Sequence, residues 1–111
     1  MKVSLAIQIL PDTVVSEDVI RVVDEVIAYI KSTKLNCVVG PFETTIEGDD
    51  LDQMMNIARN CIKMSVESGV PGVASYMKLF YRPNGDLFTI EEKIIKHQEC
   101  QQQWLITNKI R

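Results

Sequence analysis

Two glutamates on one predicted strand are the residues best placed for acid–base chemistry. Glu43 and Glu47 lie on the same side of an alternating segment, with Thr45 between them. A pair of neighbouring carboxylates can act as general acid and general base. Four residues of extended chain separate these two by roughly 13 Å, which is too far for such a mechanism within one subunit. The sequence leaves them as surface acids, as salt-bridge partners of another subunit, or as carboxylates that recognise a ligand.

A metal site is the second possibility. His97 is the only histidine, and with Cys100 it forms an i, i+3 pair, but no second pair completes a tetrahedral set. We expect no bound metal, and polar side chains on a solvated helix are the alternative use of this pair. The chain also lacks a P-loop, a Gly-x-Gly-x-x-Gly segment and a Gly-x-Ser-x-Gly elbow. The sequence therefore favours a protein that is not an enzyme and needs no cofactor.

The composition limits the classes of partner. The 111 residues fit one domain and carry a net charge of −3. Nucleic-acid binding depends on dense Lys and Arg facing phosphates, so we expect no nucleic-acid partner. No apolar run has the length of a membrane span, and the N-terminus lacks the features of a signal peptide, so we expect a cytoplasmic protein. Cys37, Cys61 and Cys100 are widely spaced and odd in number, which is typical of reduced thiols rather than a disulfide framework.

Hydrophobic periodicity predicts alternating strands and helices. The predicted elements are a strand over 2–10, a helix over 16–31, strands over 35–39 and 42–47, a helix over 51–68, a strand over 73–82 and a helix after 89. Ser16, Asp50 and Thr89 precede or open the helical patterns and are the predicted N-caps. Gly and Pro residues lie in the turns between these elements.

This order is β-α-β-β-α-β with an additional C-terminal helix, which is the ferredoxin-like α+β arrangement. Right-handed crossovers place both long helices on one face of an antiparallel four-stranded sheet and leave the other face uncovered. We expect residues 1–97 to form the domain and residues 98–111 to form a helical extension that packs across a subunit boundary. The uncovered face combines polar residues with apolar ones, namely Ala6, Leu10, Tyr76 and Phe80. Such a patch predicts a homo-oligomer built on this face.

Three segments resemble the YkoF-type thiamine-binding family. They are the proline-terminated strand Val3–Pro11, the segment Gly40–Gly48 with its Gly-Pro and Thr-Thr-x-Glu-Gly motifs, and the segment Thr89–Ile94. They occur in order and at matching spacing, and the resemblance extends from residue 2 to about residue 97. It implies a ferredoxin-like fold, sheet-to-sheet dimers or tetramers, and thiamine or its hydroxymethylpyrimidine moiety as ligand. The Gln-rich residues 98–111 depart from the usual ending of the family.

The resemblance and the residue chemistry together suggest a set of ligand-binding residues. These are Gln8, Gly40, Pro41, Glu43, Thr44, Thr45, Glu47 and Tyr76. A carboxylate such as Glu47 or Glu43 can accept a hydrogen bond from the amine of an aminopyrimidine, and threonine hydroxyls can serve either partner. An aromatic face such as Tyr76 would favour a cationic thiazolium. Gly40-Pro41 would let the backbone approach a ring, although a simple turn there and plain strand propensity at the threonines are the alternatives.

We interpret the chain as a cytoplasmic protein that binds thiamine or a pyrimidine and acts as a carrier, sink or sensor. A ligand-responsive protein-interaction module is the first alternative, and an enzyme that uses the acids at a subunit interface is the second. We expect binding to depend on residues 42–48. Removing the charge of Glu47 should cost roughly ten- to a hundredfold in affinity, because a charge-assisted hydrogen bond is lost.

Overall fold

Seven elements make up the part of the chain that the computed structural model describes, residues 1–85 and 89–95. They are β1 (Val3–Pro11), α1 (Ser16–Ser32), β2 (Asn36–Val39), β3 (Thr44–Gly48), α2 (Leu51–Glu67), β4 (Val73–Tyr81) and α3 (Ile90–Ile95). The strands form one antiparallel sheet in the order β2-β3-β1-β4. The predicted ferredoxin-like α+β arrangement is confirmed. None of the helices in these ranges has the length and apolarity needed to cross a bilayer.

The core lies between the sheet and the two long helices. Alternate residues of β1 point into it, and α1 and α2 contribute residues at helical spacing. The buried members are Val3, Leu5, Ile7, Ile9, Val22, Val26, Ile30, Ile46, Met54, Ile57, Ala58 and Cys61. We call the sheet face under α1 and α2 the inner face and the opposite one the outer face.

Two of the three predicted N-caps are confirmed. The Asp50 carboxylate accepts hydrogen bonds from the backbone N–H groups of Asp52 (2.9 Å) and Gln53 (3.3 Å) at the start of α2. The Thr89 hydroxyl accepts one from the N–H of Glu92 at 3.1 Å. The prediction for Ser16 is wrong: it is the first helical residue, and the N-cap position is occupied by its predecessor with no side-chain hydrogen bond. The Thr13 hydroxyl accepts the N–H of Val15 instead, which forms a turn before the helix.

Strands β2 and β3 are each shorter than predicted. After α1, Lys34 adopts a left-handed conformation with φ of 61°, so β2 begins at Asn36 rather than at Leu35. Between β2 and β3, the N–H of Gly40 donates to the carbonyl oxygen of Glu43 at 2.9 Å. This bond closes a loop over 40–43 and delays the start of β3 to Thr44.

The outer face carries the residues predicted for it, but it is not fully uncovered. The register pairs Tyr76, Lys78 and Phe80 with Gln8, Ala6 and Ser4, which all point away from the helices.

The chain returns onto the outer face after β4. The N–H of Ile90, the first residue of α3, donates to Glu47 at 2.8 Å. Ile90 and Ser4 are only 6% and 8% exposed. The expectation of a bare face is therefore wrong at this end, because α3 begins against it.

Candidate functional site

The loop between β2 and β3 is held in a close backbone approach. A Cβ placed on Gly40 would lie 2.9 Å from the carbonyl oxygen of Glu43, which is a backbone atom and cannot swing aside. Only glycine therefore fits without moving the loop. Pro41 follows and restricts the loop further by fixing its own φ. We call residues 40–43 the hairpin loop.

An apolar groove lies between the hairpin loop and α1. Its volume is about 220 Å³. From α1 it is lined by Val19, Val23, Val26, Ile27 and Ile30; from the sheet and loop by Ile7, Gln8, Ile9, Leu10, Val39, Gly40, Pro41, Phe42, Glu43 and Thr44. We call it the inner groove. Its walls suit an apolar ring, and the polar residues along it are Gln8, Glu43 and Thr44.

A second groove lies on the outer-face side of the same loop. Its volume is about 260 Å³, and it is lined by Val38, Gly40, Pro41, Phe42, Glu43 and Thr45. We call it the outer groove. Four residues, those of the hairpin loop, border both grooves. Glu43 therefore borders both grooves, and its carboxylate faces Lys78 on the outer face.

Glu43 forms an ion pair that a ligand could displace. Its Oε1 lies 3.3 Å from Nζ of Lys78, and the side chains are 36% and 78% exposed. Exposed pairs of this kind contribute little to stability, because water screens the attraction and the long side chains lose entropy. Exchanging Lys78 for the amine of a ligand would therefore cost the fold little.

Glu47 has a different environment from Glu43. Its Oε1 accepts a hydrogen bond from Nδ2 of Asn36 at 2.5 Å, and its Oε2 accepts the N–H of Ile90 at 2.8 Å. It lines a separate depression with Met1 and Lys34 rather than either groove. The structure therefore places the two glutamates in different surroundings, one at the hairpin loop and one beneath α3.

The other predicted site residues divide in the same way. Thr44 is buried and lines the inner groove, whereas Thr45 points outward and lines the outer groove. Gln8 lines the inner groove and pairs in register with Tyr76 on β4. Tyr76 is exposed and lines neither groove. Six of the eight predicted residues thus surround the hairpin loop, namely Gln8, Gly40, Pro41, Glu43, Thr44 and Thr45.

The α1 wall of the inner groove was missed by sequence reasoning. Val19, Val23 and Ile27 lie at helical spacing within the predicted helix, and that spacing by itself does not indicate a groove. The buried residues of the same helix are Val22, Val26 and Ile30. Valine at 22 and 23 alike satisfies an apolar pattern, so periodicity alone could not separate core from groove.

The cysteine of α2 lies in the core of the domain. Cys61 is buried within α2, and desolvation raises the pKa of its thiol to about 11, against a smaller lowering by a backbone hydrogen bond. Such a thiol stays protonated and unreactive at neutral pH. Over residues 1–85 and 89–95, no cluster of three or more His, Cys, Asp or Glu side chains could hold a metal. The pair His97 and Cys100 lies outside the described residues.

Several known proteins are similar to this chain in sequence and in fold. The profile of the Thiamine-binding protein family matches residues 5–98. A UPF0045 protein of Clostridium perfringens (strain 13 / Type A) is 37% identical over 95 residues, which cover 86% of this chain and 96% of that protein.

Two solved structures agree with the fold described here. A DUF77 domain from Bacillus cereus is 30% identical, with a TM-score of 0.76 over 87% of this chain and 90% of that one. A protein of Thermotoga maritima, named as a candidate in thiamine biosynthesis or salvage, is 27% identical with a TM-score of 0.74, over 87% and 99%. With the profile matching most of its length, this chain belongs to the thiamine-binding protein family.

Proposed function

We propose that this protein binds thiamine, or its hydroxymethylpyrimidine moiety, at the hairpin loop and does not convert it. The observation that carries the proposal is the position of Glu43, which borders both grooves and whose carboxylate is held only by a solvent-exposed ion pair with Lys78 among the described residues. Membership of the thiamine-binding family supports the choice of ligand class. The protein would then act in the cytoplasm as a carrier, sink or sensor of the vitamin or its precursor.

The size of the inner groove favours a single ring. Sites for drug-sized ligands have volumes of roughly 300–1,000 Å³. The inner groove, at about 220 Å³, is smaller and would hold a pyrimidine between α1 and the hairpin loop. The thiazolium half of thiamine would then lie outside this groove, towards the outer face.

The polar groups of the groove match those of an aminopyrimidine. The Glu43 carboxylate would accept a hydrogen bond from the exocyclic amine in place of Lys78. The Thr44 hydroxyl, on the inner side of the sheet, would serve the ring nitrogens, whereas the Thr45 hydroxyl and the Gln8 amide, which point to the outer face, would serve the part of the ligand outside the inner groove. The hairpin-loop backbone at Gly40 and Pro41 would close over the ring.

The two remaining candidate residues would act farther from the ring. Tyr76 pairs with Gln8 on the outer face and could offer its aromatic face to a thiazolium cation. Glu47 would act through α3, because both of its oxygens accept hydrogen bonds from the protein. We propose residues 1–97 as the binding unit and residues 98–111 as an extension of it.

Calorimetry with substituted proteins tests this assignment. Glu43→Gln keeps the shape of the side chain and removes its charge, so affinity for thiamine should fall roughly ten- to a hundredfold. Thr45→Val should cost less, because a neutral hydroxyl contributes less. Glu67→Gln, at an exposed position on α2, changes the net charge equally and should bind like the wild type.

Two results would contradict the proposal at different points. If wild type binds thiamine and Glu43→Gln binds it equally well, the pocket lies elsewhere on the chain. If wild type binds neither thiamine nor hydroxymethylpyrimidine, the ligand assignment fails and an interaction module becomes the better interpretation. Mass spectrometry of the recovered ligand checks the absence of turnover, since an altered mass would indicate an enzyme.

A further inference from the structure

Lys78 lies on the outer face and reaches across a strand to find its acidic partner. The register places Thr45, Ala6 and Lys78 in one row across β3, β1 and β4. Glu43 directly precedes β3, so β1 lies between the two members of the ion pair and the lysine side chain must cross it. The single methyl group of Ala6 leaves room for this crossing. The ion pair therefore occupies a shallow space on the outer face whose floor is an alanine.

This space is accessible and is surrounded by hydrogen-bond donors. The Lys78 side chain is 78% exposed and Tyr76 is 63% exposed, whereas Ser4, at the end of the face where α3 begins, is only 8% exposed. The donors next to Ala6 on the same face are the Lys78 ammonium, the Thr45 hydroxyl and the Gln8 amide. Three donors of which one is charged are a suitable set for an anion such as a phosphate group.

The sheet leaves a passage from the inner groove to this surface. Within the described residues, β3 pairs with β1 only as far as Ile7, which lies opposite Thr44, so β1 has no neighbour on that side from Gln8 onward. Gln8 lines the inner groove and pairs in register with Tyr76 of the outer face. A ligand whose ring occupies the inner groove can therefore extend past Gln8 onto the outer face.

Displacing Lys78 from Glu43 affects cationic and phosphorylated ligands differently. In the proposed binding mode an amine of the ligand takes the carboxylate, and the Lys78 ammonium loses that partner. The thiazolium of thiamine is itself a cation and would lie at Tyr76, which precedes Lys78 by two residues on the same face of β4, roughly 7 Å away along the strand. Two cations at this spacing repel each other, whereas a phosphate ester on the thiazolium side chain would attract the ammonium.

We propose that the outer face beside Lys78 binds the phosphate of a phosphorylated ligand, so that this protein prefers thiamine monophosphate to thiamine. The ammonium would pair with the phosphate, and Thr45 and Gln8 would donate hydrogen bonds to its oxygens. The ligand then replaces both members of the ion pair, with its amine at Glu43 and its phosphate at Lys78. Glu47 lies one row farther along the face, and its carboxylate is already held by Asn36 and Ile90. The inference rests on the proposed function, because the pyrimidine must occupy the inner groove.

Calorimetry with the two ligands tests the preference. Wild type should bind thiamine monophosphate about tenfold more tightly than thiamine, because one charge-assisted contact is added. Lys78→Met keeps the length of the side chain and removes its charge, so affinity for the monophosphate should fall about tenfold. Affinity of the same variant for thiamine should rise, because a like charge and the competing partner of Glu43 are both removed. Lys78→Arg keeps the charge and should keep the preference.

Two controls separate a site at Lys78 from weaker explanations. Lys63→Met, at an exposed position on α2, changes the net charge equally and lies on the helical side of the sheet, so it should keep the preference of the wild type. Inorganic phosphate alone lacks the ring that the inner groove would hold, and it should bind far more weakly than thiamine monophosphate.

The remaining outcomes overturn the inference at different points. If wild type binds thiamine and its monophosphate equally well, the anion site is absent while the proposed function stands. Equal loss of the preference in Lys63→Met and Lys78→Met would show an effect of net charge without a site. Inorganic phosphate that binds as tightly as the monophosphate would show a site for a free anion. A wild type that binds neither pyrimidine ligand would contradict the proposed function, and this inference with it.

Discussion

Glu43 and Glu47 point to the same sheet face and are four residues apart, yet their surroundings differ. Among the described residues, the Glu43 carboxylate pairs with the exposed Lys78, whereas the Glu47 carboxylate accepts hydrogen bonds from Asn36 and from the backbone of Ile90. A carboxylate with weakly held partners can exchange them for a ligand, and one with two directed hydrogen bonds is held in place. Residue type and spacing alone made the two glutamates equivalent. They are distinguished by their contacts with Lys78 and Ile90, which lie 35 and 43 residues further along the chain, respectively.

A substitution at Gly40 should disturb the hairpin loop. Gly40→Ala would place Cβ 2.9 Å from the carbonyl oxygen of Glu43, so the hairpin loop must shift. Overpacking of this kind costs about 1–3 kcal/mol, and we expect Tm to fall by several degrees and ligand affinity to fall with it. Scanning calorimetry and ligand titration measure the two effects.

Gly72→Ala provides the control for this substitution. A Cβ at Gly72 would meet only the Asp12 side chain, at 3.8 Å, which is an ordinary contact. We expect little change in Tm or affinity. If Gly40→Ala behaves in the same way, the close approach in the loop is not what shapes the groove.

At the scale of elements, the two long helices begin differently. Asp50 caps α2 with two hydrogen bonds from the backbone, whereas Ser16 opens α1 without capping it. Both residues satisfy the sequence preference for an N-cap, and Ser16 is even followed by acidic residues in the first turn. The decisive difference is the conformation set by Thr13, whose hydroxyl accepts the N–H of Val15 and moves the start of the helix by one residue.

This difference predicts unequal effects of two similar substitutions. Asp50→Ala should destabilise the fold by about 1 kcal/mol, since two N–H groups at the start of α2 lose their acceptor. Ser16→Ala should change the free energy of unfolding by no more than a few tenths of a kcal/mol. Urea denaturation of both variants measures the difference. Equal losses would mean that Ser16 also stabilises the start of its helix.

Much of the element pattern could be predicted from local sequence. Period-two alternation in β1 correctly gave both its inner residues, such as Leu5, and its outer ones, such as Gln8. The register of β4 likewise confirmed Tyr76 and Phe80 as outward-facing. Strand ends at the hairpin loop were less accurate, because the hydrogen bond from Gly40 to Glu43 depends on loop geometry that alternation does not encode.

The candidate site was only partly predictable for a related reason. The residues of the hairpin loop were identified because Gly, Pro, Glu and Thr stand together in the sequence. The α1 wall was not, since the apolar Val19, Val23 and Ile27 look like core residues in any helical pattern. The hydrogen bond from the N–H of Ile90 to Glu47 could not be predicted either, because it depends on where the chain returns after β4.

At the scale of the whole molecule, the homo-oligomer that the sequence predicts would couple folding to association. For a dimer that dissociates as it unfolds, a tenfold rise in protein concentration adds about 1.4 kcal/mol of stability per dimer. This corresponds to an increase in Tm of roughly 2–5 °C for a chain of this size. Differential scanning calorimetry of the wild type over a series of protein concentrations should show this shift. A wild-type Tm that is independent of concentration would contradict coupled folding and association.

The two edges of the sheet differ greatly in length, and this difference bears on the rate of ligand exchange. The four-residue β2, which leads into the hairpin loop, lies at the edge opposite β4, and all of its residues are at least partly exposed. Short, exposed edge elements open at a small fraction of the free energy needed to unfold the whole domain. Opening of this hairpin would let a ring enter a groove that the closed loop keeps narrow. Ligand association would then be slower than diffusion allows. The hydrogen bond from Asn36 to Glu47 would have to break each time the hairpin opens, so its strength would set the opening rate.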